Sequence, residues 1–142
     1  WSLFVYVPFV HWIWGGGFLA QMGLVDFAGG IVVHLSAGIA ALATVFFVGK
    51  RKLLPGESIA PHNIAFVALG TGLLWFGWFG FNAGSALGAN GVAAVAFVNT
   101  DVAASFAMIV WLALSWIHDG RPSMVGALTG SVAGLATVPP TA

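Results

Sequence analysis

The chain has 142 residues, 60% of them hydrophobic and 6% charged, with a formal net charge of zero and a mean hydropathy of +1.01. A soluble domain is about 45–50% apolar and about 25% charged, so this composition lacks the polar surface a water-facing globule needs and describes a chain resident in a bilayer. Zero net charge gives no reason to expect nucleic acid as a partner, and the absence of cysteine excludes a disulfide scaffold, thiolate metal sites and cysteine catalysis.

At about 20 residues per span, the length accommodates about four transmembrane helices, all-α throughout. The chain begins at Trp1 and stops just after a Pro-Pro pair, which reads as the interior of a longer protein; no basic n-region marks a signal peptide. A first apolar segment reaches from Trp1 to about Trp14 and gives way to the loop glycines Gly15, Gly16 and Gly17. A second runs from about Phe27 to Val48, rising about 33 Å, enough to cross the hydrocarbon core. Asp26 stands just before it, placed to accept bonds from first-turn N–H groups and to face the positive helix end. The third segment runs from about His62 to Ser85 and leaves through Gly84, Gly88, Asn90 and Gly91; the fourth runs from about Val92 to Ile117. A fifth opens after Pro122 and is cut off near Pro139.

Lys50, Arg51 and Lys52 form one basic cluster and Arg121 marks another. Retention of basic residues on the cytoplasmic side places loops 50–61 and 117–122 inside, and two intervening spans make that assignment self-consistent. The loops carrying Gly15 to Val25 and Gly84 to Gly91 then both lie outside, at one mouth. The four-residue spacings Gly80-Gly84-Gly88 and Gly126-Gly130-Gly134 read as ridges for close helix packing.

Few residues are placed for chemistry. His34 lies eight residues after Asp26, near the same helix face and about 12 Å deeper. An ionisable group at that depth is a functional candidate by default, against the plainer reading of a neutral imidazole satisfied by a neighbouring helix. Trp78, Phe81 and Ser85, at i, i+3 and i+7, line one stripe that could hold a small cation through ring faces and a hydroxyl; singly, each aromatic also reads as belt or core. Trp14 could face Ser85 across the mouth. Trp1, Trp12, Trp75, Trp111 and Trp116 read as interface anchors, and His11, His62 and His118 as interfacial. Asp101, inside the fourth segment beside Asn99 and Thr100, is expected to make an interhelical bond, the other reading being a place on the substrate path. No phosphate loop, dinucleotide fingerprint, catalytic triad or metal-ligand cluster is present, so the chain is expected to be no enzyme and to need no cofactor.

Two long words, Asp26-Phe27-Ala28-Gly29-Gly30-Ile31-Val32-Val33-His34 and Trp78-Phe79-Gly80-Phe81-Asn82-Ala83-Gly84-Ser85-Ala86, with Ala96-Phe97-Val98-Asn99-Thr100, Trp14-Gly15-Gly16-Gly17 and Gly120-Arg121-Pro122-Ser123, closely resemble the ammonium transporter family (Amt, Mep and Rh proteins). The resemblance implies part of an eleven-helix inverted-repeat transporter, from the end of its fourth helix into its eighth, within a single membrane domain that assembles as a homotrimer with one pore per subunit. It implies that Trp14 and Ser85 form the external ammonium site, that Phe81 is one ring of the gate, that Trp78 and His34 line the pore, and that Asp26 is the carboxylate needed for structure and transport. The second pore histidine and the other gate phenylalanine then belong outside these residues. It also implies a PII-type regulatory protein meeting the cytoplasmic loops. An ammonium sensor of the same family is the alternative. A potassium-type channel lacks its filter word here, and a membrane hydrolase lacks a nucleophile with its base.

Overall fold

In the computed structural model, which describes residues 1–139 and 141–142, the described residues form helices and no strands. A π-helical turn over Ser2–Tyr6 leads into α1 (Val7–Trp14), and a short α2 (Phe18–Gln21) follows. A second π-helical segment, Gly30–Leu35, continues as α3 (Ser36–Val48). After an extended loop come α4 (Ile64–Asn82), a tight 3-10 turn (Ala83–Ala86), α5 (Gly91–Asp119) and α6 (Met124–Thr137). Four of these stretches, Ser2–Gln21, Gly30–Val48, Ile64–Ala86 and Gly91–Asp119, are long and apolar enough to span a membrane, and Met124–Thr137 is a shorter apolar helix.

The helix starts follow local chemistry. Asn63, Asn90 and Ser123 each stand before a helix and accept a backbone N–H three residues on, from Phe66, Ala93 and Gly126, satisfying donors that have no partner within the helix. At the other end, α5 stops at Gly120, whose φ of +72° is the left-handed conformation that glycine adopts without a Cβ penalty. The second span begins regular structure at Gly30 rather than Phe27, because residues 26–29 are spent on a turn built around the Asp26 carboxylate.

The tightest packing joins α5 and α6. A Cβ at Gly130 would lie 2.6 Å from the Cβ of Trp111 and 2.8 Å from the carbonyl oxygen of Ala107, and one at Gly134 would meet Ala103 and Ala107. The Gly126-Gly130-Gly134 ridge is therefore a helix-packing face. The Gly80-Gly84-Gly88 series is not: a Cβ at Gly80 or Gly84 meets nothing within 4 Å, and Gly84 and Gly88 lie beyond the end of α4. Trp111, expected as an interface anchor, is part exposed and also packs its side chain onto Gly126 and Gly130.

Much of the remaining exterior is apolar, with Phe47 92% exposed and Ile117 82% exposed. Water does not tolerate such a surface over whole helices, whereas lipid and neighbouring protein do.

Candidate functional site

The start of the second span and the end of the third meet at one end of the bundle. Ala28 N–H donates to the Pro139 carbonyl at 2.8 Å, so the end of α6 arrives there too. Lys50, Arg51, Lys52 and Arg121 lie at the far ends of these helices.

Asp26 organises this end. Its side chain is 95% removed from solvent, and its carboxylate accepts three backbone N–H groups, from Gly29 at 3.2 Å, Ile31 at 3.0 Å and Val32 at 2.8 Å. These bonds to a carboxylate are charge-assisted and occupy donors that the start of a helix otherwise leaves without partners. The chain reaches this cap through Gly29, at φ +100°. The Gly29 carbonyl then accepts from both Val33 (2.8 Å) and His34 (3.3 Å). That shared acceptor widens the turn to π geometry, which rotates His34 relative to its place in a regular α-helix.

Trp14 is held by the same residue. Its indole N–H donates to the Asp26 backbone carbonyl at 2.8 Å, and its six-membered ring lies over Gly29, where a Cβ would come within 3.0 Å of it. The ring remains half exposed.

The His34 imidazole stacks against Trp78 (ring centroids 5.0 Å apart, planes 24° apart) and Phe81 (5.3 Å, 30°), and Trp78 and Phe81 lie 5.6 Å apart. The three rings share the wall of a cavity of about 440 Å³ completed by Gly70, Leu73, Leu74 and Gly77. Apart from His34 and Trp78 this lining is apolar. His34 Nε2 and Trp78 Nε1 are buried and without hydrogen-bond partners among the described residues. Such a site offers a small solute ring faces and two ring nitrogens, and no charged carboxylate, lysine or arginine lines it.

Ser85 is not among the residues that line this cavity. It lies in the 3-10 turn that follows α4, and its hydroxyl donates to the Phe81 carbonyl at 2.7 Å. No hydrogen bond or aromatic stack joins Trp14 to Ser85 among the described residues. Asp101 is exposed on α5, and its carboxylate makes no hydrogen bond among the described residues. The interhelical bond expected of it is made one residue earlier: Thr100 accepts from the Asn82 side-chain amide at 2.9 Å. Neighbours on a helix point about 100° apart, so Thr100 faces α4 and Asp101 faces away.

Gly70, Leu73, Leu74 and Gly77 were not anticipated as lining residues. They continue the Trp78 and Phe81 face down α4 at i, i+3, i+4 and i+7 spacing, and this periodicity was available in the sequence. The Asn82 and Thr100 partnership was not, since nothing local reveals which polar side chains meet across two helices. Among the described residues no three His, Cys, Asp or Glu side chains gather as a metal site would require.

The family model described as Ammonium Transporter Family matches residues 1–142. The ammonium transporter of Aquifex aeolicus is 56% identical over 142 residues, which are all of this chain and 33% of that protein. Among solved structures, Mep2 of Saccharomyces cerevisiae superposes with a TM-score of 0.89 at 36% identity, covering 99% of this chain and 33% of that one. A structure described as a sensor Amt protein gives 0.86 at 35% identity, covering 98% and 38%. The chain thus spans about a third of the length of the relatives it matches.

Proposed function

Since this chain belongs to the ammonium transporter family, we propose that it carries the outer mouth and the first half of a path along which ammonium nitrogen crosses a membrane, entering as the cation and passing Phe81 and His34 as neutral ammonia. The observation that carries this reading is the mutual clustering of the His34, Trp78 and Phe81 rings on the wall of an otherwise apolar cavity. Moving a full charge into such surroundings costs several kcal/mol when no partner charge accompanies it. Losing the proton at the mouth removes most of that cost, and the imidazole, which both donates and accepts, is suited to pass a proton or to orient ammonia.

Capture falls to Trp14 and Ser85. The indole face of Trp14 remains half open while its N–H is committed to Asp26, so its contribution is the ring quadrupole. Ser85 spends its proton on Phe81 and keeps lone pairs for a cationic donor. Asp26 acts through the backbone it holds, and Phe81 is the ring past which the solute moves inward. Loops 50–61 and 117–122 face the cytoplasm by their basic residues. There they form part of the surface for a PII-type regulator, and the family-length protein assembles as a homotrimer in a cell membrane. A second reading, an ammonium sensor using the same site, is favoured by the likeness to the sensor Amt structure.

The test is to place these residues in the matching third of the Aquifex aeolicus transporter and to measure methylammonium uptake in cells lacking their own ammonium transporters. Saturable uptake competed by ammonium supports transport. Binding of methylammonium without uptake would favour the sensor. In a transporting chimaera, joint Trp14→Leu and Ser85→Ala substitution is expected to raise the apparent KM; an unchanged KM contradicts the capture role.

A further inference from the structure

We propose that Asn82 and Thr100 form a positioning pair that holds Phe81 against His34; the proposal rests on the reading of the His34 and Phe81 surface as the conduction path. Asn82 is the last residue of α4 and is fully buried. Its side-chain amide donates to Thr100 Oγ1 at 2.9 Å, and Thr100, also fully buried, donates the same hydroxyl's proton to the Ala96 carbonyl at 2.6 Å. The second bond fixes the direction of the hydroxyl, so its lone pair is presented to Asn82.

The consequence for Phe81 is geometric. Phe81 lies in the final turn of α4, beside the point where the backbone tightens, and helix ends fray unless held. Neighbouring helical residues point about 100° apart, so anchoring Asn82 to α5 turns Phe81 toward His34. A second clasp, the stack of Phe79 on Phe97 at 4.0 Å, joins the same two helices three residues earlier on each. The pair is also poorly explained as a device for stability alone. Asn82 Oδ1 is buried without a partner among the described residues, and a buried unpaired acceptor is costly where an apolar side chain would not be. Among the described residues the amide's one side-chain bond is the one to Thr100, and what that bond supplies is direction.

The experiment uses the family-length chimaera with Thr100→Val, which removes the hydroxyl at nearly constant shape, Thr100→Ser, which restores it, and Asn82→Leu. Initial methylammonium uptake is normalised to protein in the membrane. Thr100→Val and Asn82→Leu are each expected to lower the maximal rate about tenfold while KM stays within about twofold. Thr100→Ser should stay within about twofold of the parent, and the double Asn82→Leu, Thr100→Val variant should be no worse than either single change. A Thr100→Val protein with the parent's rate, or a Thr100→Ser protein as slow as Thr100→Val, overturns the proposal. A solved structure of the Thr100→Val protein decides it independently of transport: Phe81 turned away from His34 supports the pair, and Phe81 left in its stack refutes it. Absence of uptake by the parent chimaera would count instead against the transport reading.

Discussion

The indole N–H of Trp14 donates to the backbone carbonyl of Asp26 at 2.8 Å, while the carboxylate of the same Asp26 accepts Gly29, Ile31 and Val32 at the start of the segment that carries His34. One residue therefore ties the Trp14 indole to the segment that carries the His34 imidazole. The position of each depends on the other through a few covalent bonds, and the following expectations come from that coupling and from the packing around it.

Removing the carboxylate should be felt first as lost stability. Asp26→Ala leaves three backbone donors without their acceptor at a buried site and is expected to cost about 3 kcal/mol or more, since bonds to charged groups contribute about 1.5–3 kcal/mol each. Asp26→Asn keeps one acceptor oxygen and should fall between. Thermal melting of the detergent-solubilised chimaera checks the order; an Asp26→Ala protein that melts with the parent contradicts the capping role.

Gly29 sits where a side chain would be penalised twice. Its φ of +100° is disfavoured for an L residue, and its Cβ would lie 3.0 Å from the Trp14 ring and 3.1 Å from Val33. Gly29→Ala is expected to destabilise by about 2 kcal/mol and to shift the Trp14 ring. Melting together with a structure of the variant tests both effects.

The two glycine series should respond oppositely. Gly130→Val places atoms against Trp111 and the Ala107 backbone and is expected to cost about 3 kcal/mol or to prevent folding. Gly80→Ala enters open space within α4 and should be neutral or stabilise by about 0.5–1 kcal/mol, because alanine loses less backbone freedom in a helix. Similar losses in melting temperature for both would contradict the packing described for α5 and α6.

Gly77 lines the His34 cavity, and nothing lies within 4 Å of its Cβ position. Gly77→Leu is therefore expected to leave the melting temperature nearly unchanged while reducing uptake at least about tenfold by filling the path. Uptake at the parent's rate would show that this cavity is not on the route.

The spans were legible in the sequence because charge is so scarce that its few positions bracket the apolar runs. Asp26 was legible as a cap because a carboxylate immediately before an apolar run has few other local roles. Helix periodicity put Trp78 and Phe81 on one stripe; that His34 belongs beside them was implied by the family resemblance and not by spacing. What periodicity does not carry is the direction in which a neighbouring helix lies. For that reason the polar patch at Asn99 to Asp101 was assigned its interhelical bond through Asp101, whereas Thr100 makes it. The 3-10 turn after Asn82, in which Ser85 lies, was hidden because the chain from Trp78 to Ala86 carries no local breaker other than glycines that also occur within helices.

The central claim, that nitrogen passes as ammonia along the His34 ring, is tested most directly by methylammonium uptake and ion selectivity of the family-length chimaera carrying His34→Ala. Uptake that is abolished, or that continues with altered selectivity against potassium and sodium, is the predicted result. Uptake at the parent's rate with unchanged ion selectivity would contradict it.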